Sequence, residues 1–346
     1  METKVTAESA RKKAELLAGG PVLLPSDFKP PFPPSRSTAG PGAGHPELVF
    51  SFGGTRAKKA ISRDSGDFLL RDSGGRLSIL KDGEPFIEEV ELQPTLLHAP
   101  FQAFINVDSR CAYRCVFCAS HRLEPHATKN LTDDRIVEMA VNASKERGFT
   151  GVALTSGVAQ SPAETALRLA GLIERIREAL PETPIGVEPY VTSPDQIDSL
   201  LEAGADEIKI NIESFDRDVF EKICPDRDYD VIIHGINHAC EVFCRNKVCS
   251  NIIFGLGETD ETTLNGVKVL ADMGAVATLR AIRVNELNRA DLDRTLGETQ
   301  PVTASRMLNL AREQKRILQD YGLSPLGFKT MCHACLACDI VPFWDV

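Results

Sequence analysis

The sequence contains no apolar run of the ~18–20 residues that a membrane-spanning helix needs, so we expect neither a membrane span nor a membrane partner. Its first twenty residues are charged and amphipathic and lack a signal-peptide core, which predicts a cytoplasmic location. Basic residues are also in the minority, because 39 Lys and Arg stand against 49 Asp and Glu, giving a net charge of -10. A nonspecific nucleic-acid surface is therefore not expected.

Cysteine, in contrast, is plentiful, with 10 residues in 346. In a reducing compartment this favours metal ligands or catalytic thiols over structural disulfides, which use thiols in pairs. The spacings are C-x3-C-x2-C in "CAYRCVFC" and C-x2-C-x2-C in "CHACLAC". Two odd-numbered triplets result: Cys111, Cys115 and Cys118, then Cys332, Cys335 and Cys338.

The chain is long enough for one large α/β domain with a small appendage. Residues 1–46 predict a helix followed by a Pro/Gly-rich connector, which we expect to wrap a surface or an entrance. Residues 47–98 alternate short β-like runs such as "LVFSF" and "LSIL" with turn signals, which indicates a small β-rich appendage.

Residues 99–300 alternate apolar strands with amphipathic helices, a pattern typical of a parallel sheet with right-handed crossovers. The predicted strands are "AFINV", "GVALTS", "IGVEPYV", "EIKINIES", "VCSNIIFGL" and "TLRAIRVNEL". Helices are predicted over 132–148, 162–180 and 194–203. The fold class predicted is α/β, a partial (β/α)6 TIM-type barrel whose active site lies at the carboxyl ends of the strands.

The first triplet follows the first barrel strand, which places its thiolates at the barrel mouth. Three thiolates suit a soft metal or an iron–sulfur cluster, and a four-iron cluster with three cysteine ligands keeps one iron open. An open iron can bind a small molecule through amino and carboxylate groups. The alternative is a structural zinc site completed by His121 or His126.

C-x3-C-x2-C with an aromatic residue, Phe117, before its last cysteine resembles the signature of the radical S-adenosylmethionine (radical SAM) superfamily. "LTSG", "INIES", "CPDRDYD", "NIIFGLGET" and "RVNEL" follow in the order of similar segments in biotin synthase and its relatives. The resemblance implies a 4Fe–4S cluster on the first triplet and binding of S-adenosylmethionine. The implied cofactor-binding residues are Phe117, Thr155, Ser156, Gly157, Asn211, Glu213, Arg227, Ile253, Gly255 and Glu258.

Within this resemblance, Glu213 would bind the ribose hydroxyls and Arg227 the methionine carboxylate. "LTSG" would hold the methionine amino group, and "NIIFGLGET" would lie beside the adenine, although Asn251 replaces the first glycine of that motif. Two alternatives stay open: Glu213 as a surface carboxylate, and Arg227 paired only with a neighbouring aspartate. Those aspartates are Asp226, Asp228 and Asp230.

The second triplet predicts an auxiliary 4Fe–4S cluster, with zinc completed by His333 as the alternative. Among the remaining thiols, Cys224 is the candidate fourth ligand. Cys240 and Cys244 are interpreted as helix thiols, and Cys249 begins a strand at the end away from the mouth. Residues 301–346 are predicted to form a long amphipathic helix and a tail that lies over the barrel mouth.

The resemblance implies that a 5′-deoxyadenosyl radical removes hydrogen from unactivated carbon. The second cluster favours sulfur insertion of the lipoyl synthase type, octanoyl to lipoyl. The N-terminal C-x4-C-x5-C of single-chain lipoyl synthase is missing, so the two-protein lipoyl synthase is the better match. The alternatives are a small-molecule enzyme that uses the second cluster for substrate binding or electron transfer, and a non-catalytic scaffold.

The partners implied by this hypothesis are an acylated carrier protein or a small molecule as substrate. The other implied partners are a second radical SAM subunit and a reductant such as ferredoxin or flavodoxin.

Overall fold

The computed structural model describes residues 4–38, 40–123, 131–297 and 302–346. A leading helix, α1 (Ala7–Ala18), begins after Thr6, whose side chain accepts the Ser9 N–H as an N-cap. In these described residues, no helix is both long and apolar enough to cross a membrane.

Seven short strands form the first sheet, and the pairing of its third and seventh strands closes six of them into a ring. The ring encloses its own apolar core, which includes Leu48, Phe50, Phe68 and Ile79. The predicted β-rich appendage is thus a small closed barrel. Its strands are β1 (Val22–Leu23), β2 (Ser35–Arg36), β3 (Pro46–Phe52), β4 (Thr55–Ser62), β5 (Phe68–Asp72), β6 (Leu77–Lys81) and β7 (Glu84–Gln93).

The second sheet has six parallel strands that pair in chain order, as the alternating pattern predicts. Its strands are β8 (Gln102–Asn106), β9 (Gly151–Thr155), β10 (Ile185–Glu188), β11 (Glu207–Lys209), β12 (Val248–Phe254) and β13 (Val276–Ala281). The crossover helices are α2 (Asp133–Ala143), α3 (Pro162–Ala179), α4 (Pro194–Glu202), α5 (Arg217–Ile223), α6 (Tyr229–Val242) and α7 (Asp260–Met273). This is the predicted partial barrel.

In the part of the chain that the structure describes, three α-helices follow the last strand: α8 (Arg289–Leu296), α9 (Ala304–Asp320) and the short α10 (Met331–Cys335). The amphipathic α9 packs against α1 and α7, so it joins the barrel to the leading helix. Cys240 lies in α6 as predicted. Cys244 does not, because α6 ends at Val242, and Cys244 is exposed with a left-handed backbone (φ 67°).

The predicted strands are longer than the observed ones at their carboxyl ends. β10 ends at Glu188 because Pro189 has no N–H for the ladder. β11 ends at Lys209, and beyond it the Ile212 N–H is bound by the Ser250 hydroxyl instead of a strand carbonyl. The active-site segments therefore leave the sheet early and turn into the barrel.

The C-terminal tail was predicted to lie over the barrel mouth, and this prediction is wrong. The tail enters the barrel from the opposite end, where the strands begin. Gln102, the first residue of β8, exchanges two hydrogen bonds with the backbone of Met331, at 2.7 and 2.8 Å. Glu207, the first residue of β11, accepts the N–H groups of Lys329 and Thr330, at 2.9 and 3.0 Å. The buried polar side chains at this end of the strands are thereby satisfied by the tail.

Small residues make room for this entry. A Cβ on Gly186 would lie 2.0 Å from the Thr330 hydroxyl, and one on Gly151 would lie 3.1 Å from the Thr330 methyl group. Further along, a fully buried ion pair between Lys13 and Asp345 (2.6 Å) anchors the tail to α1, and the Lys58 N–H of β4 binds the Ala337 carbonyl at 2.8 Å. The tail is therefore fixed along both barrels.

Candidate active site

A cavity of about 690 Å³ occupies the interior of the six-stranded barrel. Asn106 of β8 and Arg280 of β13 both line it, so the sheet curls until its first and last strands face the same space. All six cysteines of the two triplets line this cavity. The two thiol clusters, more than two hundred residues apart in sequence, thus share one chamber.

The loop that carries the first triplet is fixed against the end of β9. Val107 N–H binds the Thr155 carbonyl (2.8 Å), and Gly157 N–H binds the Asp108 carbonyl (2.8 Å). Glycine is required at 157, because a Cβ there would lie 2.2 Å from the Arg110 carbonyl oxygen. "LTSG" therefore positions the cysteine loop as well as lining the cavity.

The three thiols of the first triplet lie close enough together to affect one another's ionisation. Burial raises the pKa of Cys111 and raises that of Cys118 to about 11. The pKa of Cys115 is lowered, mainly by a hydrogen bond from the Cys224 thiol. Cys224 is therefore beside the first triplet. Its candidacy as fourth ligand of the second cluster is wrong, because the loop after α5 packs on the cysteine loop.

Glu213 and Arg227 form a buried ion pair on the cavity wall, with 3.4 Å between Nη1 and Oε1. Arg227 also donates to the Asn211 carbonyl (2.6 Å) and stacks over Tyr190, 4.7 Å from the ring centroid. Burial raises the pKa of Glu213. Glu213 has a left-handed backbone (φ 66°), a strained conformation for a non-glycine residue and one that is common at functional sites.

The two alternatives for these residues are not supported. Glu213 is buried and is not a surface carboxylate. The aspartates near Arg227 have other partners: Asp226 accepts the Arg114 N–H, Asp228 caps α6, and Asp230 pairs with Arg217.

Most of the other predicted cofactor-binding residues reach the cavity. Phe117, Thr155, Ser156, Asn211 and Ile253 line it.

Gly255 and Glu258, which were also predicted to bind the cofactor, are not among the residues that line the cavity. The Glu258 carboxylate accepts the N–H groups of Gly255 and Leu256, each at 2.8 Å, and pairs with Arg306 at 2.8 Å. These contacts hold the turn after β12.

The second triplet lies among buried cations that the sequence analysis did not identify. Lys209 Nζ and Arg280 Nη2 each lie 3.3 Å from the Cys332 sulfur. Arg280 is held in turn by Asp339 at 2.7 Å. Burial raises the pKa of Cys335 to about 12. The sequence does contain a sign of these cations, because Lys209 and Arg280 are charged residues inside the otherwise apolar strand segments "EIKI" and "TLRA".

Neither zinc interpretation gains a ligand set. His333 bonds Thr278 (3.1 Å) and packs against Phe328 instead, and burial lowers its pKa to about 3. His126 lies outside the described residues.

Several buried polar atoms at the cavity have no hydrogen-bond partner in the described chain. Each such atom costs about 1–3 kcal/mol unless a ligand or water satisfies it. An amino acid joined to a nucleoside offers the amine, carboxylate and hydroxyl groups that would pair with them, so the wall fits S-adenosylmethionine. The atoms are Asn106 Oδ1, Glu213 Oε2, Arg227 Nε and Asn251 Oδ1.

Fold and site together define a partial-barrel α/β protein with a thiol triplet after the first strand and a polar cofactor wall beside it. The family model of the Radical SAM superfamily matches residues 105–268. The chain therefore contains a radical SAM domain, as the cysteine motif predicts.

Relatives of known name agree with this assignment. Biotin synthase of Geotalea uraniireducens (strain Rf4) is 29% identical over 164 residues, 45% of this chain and 48% of the relative. Lipoyl synthase of Streptomyces griseus subsp. griseus is 26% identical over 175 residues, 49% of this chain and 53% of the relative. The matches thus span about half the length of these relatives.

Among solved structures, methylornithine synthase is similar, at 21% identity over 62% of each chain with a TM-score of 0.52. This likeness concerns the fold.

We predict that Glu213→Gln and Arg227→Gln each weaken S-adenosylmethionine binding about tenfold or more, because each removes a charge-assisted contact of ~1.5–3 kcal/mol. Iron content should stay unchanged, since neither residue is a thiol ligand. Anaerobic equilibrium binding and iron analysis measure the two quantities. Arg217→Gln, which breaks an exposed pair with Asp230, is the control. Unchanged binding in both cavity variants would place the cofactor elsewhere.

Proposed function

We propose that this protein is a radical SAM enzyme that inserts sulfur into an unactivated carbon chain. The sulfur would come from an auxiliary 4Fe–4S cluster on Cys332, Cys335 and Cys338. One observation carries the proposal: both thiol triplets line the same cavity, so a substrate held there is within reach of both.

A 4Fe–4S cluster on the first triplet, with bound S-adenosylmethionine, would supply a radical able to remove hydrogen from unactivated carbon. Glu213, which follows β11, and Arg227, which lies between α5 and α6, would hold and orient the cofactor. Their strained and stacked geometry limits movement, which favours a fixed distance between reacting atoms.

At the other triplet, Lys209 and Arg280 offset negative charge on the Cys332 sulfur. Lys209 is buried, Arg280 is partly buried, and each has a carboxylate partner, so the two cations can hold a thiolate-rich group inside the barrel. The tail that carries these thiols enters the barrel at the end where the strands begin, opposite the mouth. The mouth is thereby left to the cofactor and the substrate.

Two reactions are candidates for this site. The sequence-based hypothesis is conversion of an octanoyl to a lipoyl group on a carrier protein, with a second radical SAM subunit and a reductant such as ferredoxin or flavodoxin. The second candidate is a free small molecule, with the auxiliary cluster used for substrate binding or electron transfer. The excess of cations around the second triplet supports this candidate. A non-catalytic scaffold leaves the Glu213–Arg227 wall unexplained.

Isotope transfer tests the role of the second cluster. Protein reconstituted anaerobically with heavy-isotope sulfide, then given S-adenosylmethionine, reductant and an octanoylated carrier peptide with a candidate partner subunit, should form about one sulfur-bearing product per chain or less. Mass spectrometry should find the label in that product. Many turnovers, an intact second cluster and a product without sulfur would instead support electron transfer.

A further inference from the structure

We propose that the substrate of this cavity carries a carboxylate, and that Arg283 and Arg36 bind it beside the second triplet. The proposal rests on the proposed function, because it takes the cavity as the substrate site. It narrows the class of substrate to free organic acids. An acyl chain joined to a carrier by an amide lacks this charge.

Arg283 presents an under-used guanidinium to the cavity. It lines the cavity just after β13, and its side chain is 32% exposed. Within the described residues, the only hydrogen bond of its side chain is a long one, 3.4 Å to Glu47. That carboxylate is shared with Lys58, 3.2 Å away. Four of the five N–H groups of a guanidinium thus remain for a ligand.

Arg36 stands at the rim of the same wall. It is exposed, lines the cavity from β2, and pairs in register with Pro46, the residue before Glu47. Within the described chain it has no ion pair. Arg283 bonds Glu47, so both arginines lie beside the start of β3, although Arg36 belongs to the first sheet and Arg283 follows the last strand of the second. Two guanidinium groups that line one cavity can hold a carboxylate by parallel N–H donors, the geometry for which arginine is favoured.

The charges around the second triplet also leave room for an anion. Six cations there face four carboxylates, a surplus of two positive charges. A four-iron cluster on three thiolates has a net charge of about -1 when oxidised, so about one positive charge is left for the substrate. The groups are Lys13, Arg56, Lys58, Lys209, Arg280 and Arg283, against Glu47, Glu188, Asp339 and Asp345.

The wall next to these arginines is apolar. Leu97, Ala99 and Phe104 line the cavity there, and Phe104 and Ala99 pack against Cys335. A ligand whose carboxylate meets Arg283 would therefore lay a hydrocarbon body along the second triplet. This is the arrangement that an amphiphilic acid needs.

Binding of matched acids and amides tests the proposal. Linear carboxylates of about four to ten carbons and their primary amides are titrated into anaerobically reconstituted protein by calorimetry. At least one acid should bind about tenfold or more tightly than its amide. Arg283→Gln and the exposed Arg36→Gln should each remove that preference. Arg316→Gln, which deletes an exposed cation on α9 that pairs with Glu313 and does not line the cavity, should keep it.

Equal binding of acids and amides, absence of acid binding, or an acid preference that survives both variants would overturn the proposal. The titration involves no turnover, so its failure leaves sulfur insertion standing. Isotope transfer is therefore repeated with the acid that binds most tightly in place of the carrier peptide. If that acid binds but gains no labelled sulfur, the proposed function fails and the carboxylate site remains.

Discussion

Replacing Cys111, Cys115 and Cys118 together with alanine should remove about half of the roughly eight irons expected per chain and abolish 5′-deoxyadenosine formation. The loop itself should survive, because backbone hydrogen bonds fix it: Ala112 N–H to the Val158 carbonyl and Val116 N–H to the Ile223 carbonyl, both 2.7 Å. Loss of function would therefore reflect lost ligands and not a lost loop.

The measurements are iron and sulfide analysis after anaerobic reconstitution, with chromatography of the nucleoside product. A matched control is the double variant of Cys240 and Cys244, thiols on or after α6 that do not line the cavity. It should retain full iron and full cleavage of S-adenosylmethionine. Stoichiometric zinc in the wild-type first site, or cleavage by the triple variant, would contradict the radical assignment.

Much of the barrel was predictable because its determinants are local. Strands such as "GVALT" are continuously apolar, and helix starts have side-chain caps such as Thr132, Ser161 and Thr259. The cysteine loop was predictable for the same reason, since strand, motif and helix follow one another in the sequence.

The route of the tail was not predictable, because its determinants are distant. Gln102, Gly186 and Glu207 lie in three different strands, and their shared partner, the segment at Thr330, is more than a hundred residues away. The burial of the central lysine of β4 is not predictable for a similar reason, because Lys58 is buried beside Glu47 on the adjacent strand, which neutralises it.

Proximity in sequence also misled the assignment of single residues. The sequence makes Cys224 the candidate fourth ligand of the second cluster, yet the loop after α5 places its thiol beside Cys115. Glu258 matched a cofactor motif but is occupied by two backbone N–H groups and by Arg306. The cations around Cys332 could not be predicted, because the sequence does not show which group a charged residue in an apolar strand contacts.

Replacing Cys332, Cys335 and Cys338 with alanine should preserve 5′-deoxyadenosine formation but eliminate sulfur-bearing product. The first triplet and the Glu213–Arg227 wall do not depend on these side chains, so the cofactor end of the cavity stays intact. The tail should also keep its place, because Met331 remains bound to Gln102 by backbone contacts.

The buried cations do not become unpaired in this variant, since Lys209 keeps Glu188 at 3.4 Å and Arg280 keeps Asp339 at 2.7 Å. Thermal unfolding should therefore stay close to that of reconstituted wild type after allowance for the lost cluster, and iron should fall by about half. A carbon radical formed without a sulfide to attack should return to starting material or give an unsulfurated product. Mass spectrometry of the substrate pool distinguishes these fates. A sulfur-bearing product from the triple variant would show that the sulfur has another source, and the second triplet would then serve to bind the substrate or transfer an electron.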